Sequence, residues 1–341
     1  MLFFFGGGMC TLNQEELANI FYENLNQISQ SLISTFSLKF EREVDHLSLP
    51  LLRWLDFRLR YVDPWPRKVV LSDKFPVSGL SDEALSGLNR LIRIFEAGGD
   101  VNPYQGQGLV NFNDTSGRRK INRTDGLWAD WGVSHFHLSD GDVVVGDYFV
   151  KRGDHLLCIV EEDRVLFIDA RSHLRGVEYA DLDIMEIVSD NWPERMVQLK
   201  GVLPGKAWEG SEIYQMRRSG VSAPLILGGK VYVMASSGIT SAATADVVTM
   251  AVNRCRIYVN RLAEWVVSPD GDFVRTCRGL SVDNPAFCLA ITPGGFSVYE
   301  ENSRAAFALG DVGLKLKWID DLINTILPSW ALNAYFEAVG G

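Results

Sequence analysis

Four of the five histidines, His135, His137, His155 and His173, fall within one stretch of 39 residues. Imidazole is the side chain whose ordinary pKa, about 6.5, lies nearest neutrality, so clustered histidines suit proton transfer or metal ligation. His135-Phe136-His137 lies in an aromatic and β-branched run that reads as a strand. Strand side chains alternate, so both imidazoles leave the same face. Asp169, Arg171 and His173 share a face of a later strand by the same rule. A meander would thus gather imidazoles, a carboxylate and a guanidinium, the groups that metal-free acid–base cleavage requires. His135, His137, His155, Asp169, Arg171 and His173 are therefore the candidate catalytic residues. A structural reading stands beside this one, in which the imidazoles simply pair with nearby carboxylates. The metal reading has less to rest on, because no CxxC pair and no second histidine motif accompany the HxH. No metal site and no cofactor are assigned.

Three places could meet phosphate. The first is the basic run Arg118, Arg119, Lys120 within a polar stretch, and the second is Arg152. The third is the small-residue segment holding Ser237, Gly238 and Thr240, placed where a helix is expected to start and free N–H groups favour anions. That segment lacks the Lys-Ser/Thr ending of a P-loop, and helix capping by Thr240 or Ser241 accounts for it without a ligand. No G-x-S-x-G occurs. Alternation also puts Cys158 on the face opposite His155, against a cysteine–histidine pair.

The elements that must position these groups follow from periodicity. Residues 12–62 read as helical, with apolar positions from Leu17 to Ile33 at three- and four-residue spacing and a second helix over 49–61. Pro64 and Pro66 then stop helix propagation. Another helix is expected over 82–97, capped by Ser81 and ended by Gly98-Gly99. Residues 133–138, 147–150, 155–160 and 165–170 read as a β-meander whose last turn is Glu161-Glu162-Asp163, followed by a short helix over 179–189. Beyond residue 200, a helix at 212–218 precedes a hairpin at Gly228-Gly229-Lys230. A long helix is expected over 240–265, opened by 235–245. Short strands follow over 271–309, turning at Thr292-Pro293-Gly294-Gly295, before a final helix over 312–326. Helices and strands segregate, so the class is α+β. Four regions are expected: a helical unit at 1–100, a loop or linker at 101–126, an antiparallel sheet with a short helix at 127–200, and an α+β unit at 201–341.

Composition bounds the rest. With 341 residues, 47% hydrophobic and 22% charged, the chain is neither disordered nor collagen-like. No run approaches the roughly 18–20 apolar residues of a membrane span. The first ten residues are too short for a signal segment, and Met9 offers an alternative start. Five scattered cysteines without a CxxC pair fit a reducing, cytoplasmic setting. The net charge of −10 is unevenly held. Residues 130–190 carry 14 acidic and 5 basic side chains, whereas 195–280 carry 6 acidic and 11 basic ones. Acidity over the histidine strands disfavours unaided phosphate binding there and favours metal binding or a basic protein partner, leaving the 118–123 loop and the C-terminal unit as the expected nucleic-acid faces.

Residues 131–173 resemble the sheet of RelE-type toxins, small cytosolic RNA-cleaving proteins, through Arg152-Gly153-Asp154-His155-Leu156-Leu157 and the run ending at Asp169-Ala170-Arg171-Ser172-His173. The segments around Asp130–Leu138 and Ala235–Thr244 also resemble uncharacterised bacterial and mobile-element proteins. The RelE resemblance covers about 40 residues of a chain roughly three times a toxin's length, and acidic where toxins are basic. It implies His155, Arg171 and His173 as catalytic positions and Arg152 as a phosphate contact. Three functions stand open: a toxin or phage-defence effector cleaving nucleic acid, a non-catalytic subunit whose acidic sheet docks a basic protein, and a metal-dependent enzyme on a small substrate. The oligomeric state is left open.

Overall fold

The structure is a computed structural model describing residues 13–111, 123–143, 148–172, 176–235, 238–269, 271–282, 284–313 and 316–340. The candidate residues Arg118, Arg119, Lys120, His173 and Ser237 lie outside the described residues, as does Met9. The class is α+β: of the described residues, 48% are helical and 19% extended, with three small sheets among them. No helix among the described residues is long and apolar enough to cross a membrane.

In chain order the elements begin with α1 (Gln14–Thr35), α2 (Pro50–Arg60), β1 (Lys68–Leu71), α3 (Asp82–Ala97) and α4 (Gly126–Trp131). Next come β2 (Ser134–Leu138), β3 (Asp154–Val160), β4 (Arg164–Arg171), α5 (Asp183–Asn191), β5 (Met196–Gln198) and α6 (Gly210–Ser219). They continue with β6 (Leu225–Leu227), β7 (Lys230–Met234), α7 (Asp246–Val266), α8 (Asp272–Gly279), β8 (Phe287–Thr292) and β9 (Gly295–Glu300). The last are β10 (Ala305–Ala308), α9 (Leu309–Gly313), α10 (Lys317–Ile326) and α11 (Ser329–Gly340). The chain forms two compact units, one of residues 1–36, 49–55 and 250–341, the other of residues 37–48 and 56–249.

The second unit holds the histidines. Its main sheet runs in the order β1-β4-β3-β2. β2, β3 and β4 pair antiparallel, as the alternating pattern and the Glu161–Asp163 turn predict. β1 adds a parallel edge strand drawn from the predicted helical third of the chain, with Lys68 opposite Arg164 and Leu71 opposite Phe167. Its four residues are too few for alternation to distinguish from a loop. The expected strand at 147–150 is not seen among its described residues; Val150 makes only an isolated bridge to Val143 and donates its N–H to the Pro103 carbonyl.

Each face of the sheet buries its own apolar layer. Phe136, Leu156, Cys158 and Phe167 pack with Leu88, Leu91 and Phe95 of α3. Helix α3 has the predicted bounds: the Ser81 hydroxyl accepts from the Ala84 amide, and Gly98 ends the helix at φ 72°. The other face presents Leu157, Ile159, Leu166 and Ile168 to Ile184, Met185 and Val188 of α5 and Ile213 of α6.

In the first unit, α1 buries Leu17, Phe21, Leu25 and Leu32, the stripe its spacing predicts. Trp54 donates its indole N–H to the Ile326 carbonyl at 2.8 Å, and Asn24 accepts from the Leu289 amide at 2.9 Å. The β8–β9 hairpin turns at Thr292–Gly295 as expected, with Gly295 at φ 96°. Residues 272–279, expected as strand, form α8, because Phe273 and Cys277 sit four apart and both bury. Helix α7 begins at Asp246 rather than near residue 240, and the final predicted helix divides into α9 and α10.

Candidate active site

Register decides which side chains meet. His137 lies opposite His155, which lies opposite Arg171; one step on, His135 lies opposite Leu157, which lies opposite Asp169. Residues directly opposite in antiparallel strands share a face. All five described catalytic candidates, His135, His137, His155, Asp169 and Arg171, therefore stand on the face of Leu157, at the polar end of its apolar layer. Strict alternation from Leu166 and Ile168 would have sent Asp169 and Arg171 to the α3 side. A bulge between the Leu157–Asp169 and Cys158–Phe167 pairs leaves Ile168 without an opposite residue and reverses the parity. Cys158 remains on the far face, as predicted.

The imidazoles form a chain. Ring centroids lie 5.1 Å apart for His135 and His155 and 4.8 Å apart for His137 and His155. The Tyr179 ring closes over the group at 5.6 Å from His135 and 6.1 Å from His155. His155 and His137 are buried, at 1% and 4% exposed. His137 Nδ1 lies 3.3 Å from the Gly153 carbonyl, where β2 and the start of β3 crowd together. Arg171 is committed too, with Nε 2.6 Å from Asp169 Oδ2 and Nη1 2.6 Å from Asp181 Oδ2. Burial works against its charge, but the two carboxylates raise its pKa above the ordinary value.

His135 is the member that meets open space. Its Nδ1 lies 3.1 Å from Asp125 Oδ2. Asp125 is the N-cap of α4, its Oδ1 accepting from the Leu127 and Trp128 amides at 2.9 and 3.2 Å. Burial alone would raise the Asp125 pKa, but the charge and hydrogen bond of His135, then the Trp128 amide, outweigh it and hold the carboxyl down at about 2. For His135, burial lowers the pKa and the Asp125 carboxylate more than restores it, for a net rise. Cavities of about 100 Å³, beside Arg60 and Ser134, and about 280 Å³, beside Tyr179, Tyr214 and Arg217, are both lined by Asp125 and His135. Burial pushes the Tyr179 phenol up to about 12, so it stays protonated and can donate.

Arg217 of α6 is 3% exposed. Its Nε lies 2.7 Å from Asp130 Oδ2, its Nη1 donates to the Tyr179 carbonyl at 2.7 Å, and its guanidinium covers the Trp131 ring at 4.1 Å. α6 ends on Gly220 at φ 78°, where an added Cβ would stand 2.7 Å from the Thr240 carbonyl, so only glycine fits.

The expected phosphate contacts fare differently. Arg152 is exposed and lines a separate cavity of about 360 Å³ with Ser81, Lys151 and Asp154. Gly238 and Thr240 do not open a helix. The Gly238 amide donates to the Ala129 carbonyl, the Thr240 amide to the Thr244 carbonyl, and the Thr240 and Thr244 hydroxyls pair at 2.7 Å. These donors are spent on Ala129 of α4 and on Thr244 of the loop before α7. Among the described residues, no group of three His, Cys, Asp or Glu side chains is disposed to hold a metal ion.

Sequence reasoning missed Asp125, Tyr179 and Arg217. Asp125 carried a usable signal, an aspartate directly before a short apolar helical run, the pattern of an N-cap. Arg217 carried none, since its partner Asp130 lies 87 positions away. No family model, no curated protein and no solved structure matches the chain.

Proposed function

We propose that the chain cleaves nucleic acid, RNA foremost, by metal-free acid–base chemistry, with His135 as the catalytic proton-transfer residue. One observation carries this reading: His135 is paired with the Asp125 carboxylate and set in the wall of two cavities. Asp125 engages Nδ1, which leaves Nε2 to exchange a proton with substrate. The raised pKa favours the imidazolium, which suits a general acid that protonates a leaving oxygen. His155 and His137 act as positioning residues, packing the reactive ring from behind. Of the positions that the RelE resemblance implies, His155 becomes a positioning residue and Arg171 serves Asp169 and Asp181. Toxin or phage-defence activity in the cytoplasm fits such chemistry, and the four described cysteines, all free, suit that compartment.

The test is incubation of the purified chain with single-stranded RNA in the presence of EDTA. Cleavage is expected, falling by about 10²–10⁴-fold in His135→Gln with the circular dichroism spectrum unchanged. An uncleaved RNA, or a variant as active as the parent, overturns the reading. A basic protein captured equally by parent and variant, with no cleavage by either, would favour the docking-subunit alternative.

A further inference from the structure

The cavity of about 280 Å³ beside His135 is lined by Arg217 and Thr124, each of which has a polar atom with neither a hydrogen bond nor an ion pair among the described residues. Arg217 uses Nε and Nη1, but its Nη2 is buried and makes no hydrogen bond. Thr124, 5% exposed, lines the same cavity, and its Oγ1 is likewise buried without a partner. Buried polar groups are almost always paired, and an orphaned guanidinium N–H is among the costlier exceptions. Two orphans in one cavity wall mark a place shaped for a missing acceptor.

The rest of the lining says what kind of acceptor. Asp125 is the sole carboxylate among the described residues that line the cavity, and both its oxygens are engaged, by the Leu127 and Trp128 amides and by His135. Tyr179 keeps its phenolic proton. The described lining can meet a ligand with donors: the Arg217 guanidinium, the Thr124 hydroxyl, the Tyr179 and Tyr214 phenols and, when it carries a proton, the second nitrogen of His135. Converging donors that include two potential cations complement an oxyanion, and a planar guanidinium suits phosphate in particular.

We propose that this cavity is a phosphoryl-binding subsite, with Arg217 Nη2 and Thr124 Oγ1 as its new contacts. The inference rests on the cleavage reading only for its purpose, which is to hold a substrate phosphate beside His135 Nε2. Binding itself needs no turnover. Both atoms are covered in the unoccupied chain, so occupancy requires the cavity wall to give way around the ligand.

Titration of the full chain with inorganic phosphate near pH 6 and at low ionic strength, followed calorimetrically, tests this. Saturable binding is expected, weakened about tenfold in Thr124→Val, a near-isosteric change that removes the hydroxyl. Because that hydroxyl is orphaned when the cavity is unoccupied, the variant should melt no lower than the parent. Arg217→Lys, which keeps the charge but not the fork, should also weaken phosphate binding. Competition by a mononucleotide would identify a terminal phosphate as the natural group, and competition by an oligoribonucleotide a backbone phosphate; either supports the subsite. Absent saturable binding, or a Thr124→Val chain that binds phosphate as tightly as the parent, overturns it. RNA cleavage that persists beside that result leaves the His135 reading intact. Phosphate binding without cleavage overturns the His135 reading alone.

Discussion

Asp125 holds His135 with one carboxylate oxygen and the start of α4 with the other. Oδ2 lies 3.1 Å from His135 Nδ1, while Oδ1 accepts from the Leu127 and Trp128 amides. The placement of the imidazole is thereby tied to the helix cap and to local folding of residues 125–131.

Asp125→Asn separates these two duties, since asparagine caps a helix about as well as aspartate. The His135 pKa should fall in this variant, because the carboxylate that raised it is gone. Histidine ring NMR shifts followed against pH check the direction; an unmoved titration would dissociate the pair. Asp125→Ala should lose about 1 kcal/mol more than Asp125→Asn, the usual value of a cap, as measured by urea unfolding.

The same pair makes stability depend on pH in a definite sense. His135 has a folded pKa above its ordinary 6.5, so its contribution is complete below 6.5 and lost as pH rises through the folded value. Asp125 is depressed from 3.8 to about 2, so its contribution is complete above 3.8 and lost as pH falls toward 2. The pair stabilises most between 3.8 and 6.5. The difference in unfolding free energy between parent and Asp125→Asn should therefore be larger at about pH 5 than at about pH 8. The opposite order would contradict the pairing.

Arg217→Met should be among the most damaging single changes. It leaves Asp130, 4% exposed, as a buried charge without its partner, at a cost of about 3–5 kcal/mol. Adding Asp130→Leu should recover most of that loss in chemical denaturation, since a buried ion pair gains little over apolar packing. A double variant no more stable than Arg217→Met would place the damage in packing against Trp131 instead.

Thiol reactivity should follow burial. Cys158, Cys255 and Cys277 are buried, and burial pushes the Cys158 thiol up and the Cys255 thiol up to about 12. Both should resist a disulfide reagent in the native chain and react on unfolding, whereas Cys288, half-buried, reacts first of the four. Rapid native labelling of Cys158 would show that the sheet opens readily.

Gly153→Ala tests the crowding that sets His137 against His155. A Cβ there would stand 2.6 Å from the Leu138 carbonyl oxygen, so backbone must shift, at about 1–3 kcal/mol. Thermal unfolding should report the loss.

Much of the fold was legible because its signals are local. The Ser81 cap and Gly98 stop bounded α3 to the residue, and the acidic turn at 161–163 paired β3 with β4. Where the signal was short or shared between classes, it failed. Four residues of β1 carry no periodicity, and the 272–279 run reads as strand until Phe273 and Cys277 are seen to bury together.

For the site, the residue types of 135–171 determined by themselves that imidazoles would line one strand face and that Asp169 and Arg171 would travel together, because side chains alternate along any strand. Which face Asp169 and Arg171 joined was decided only by the bulge at Ile168, a property of pairing between two strands. Tertiary structure likewise brought Arg217 to Asp130 across 87 positions and left its Nη2 without a hydrogen bond among the described residues. Long-range contacts of that kind arise from packing many elements at once, and no window of sequence contains them.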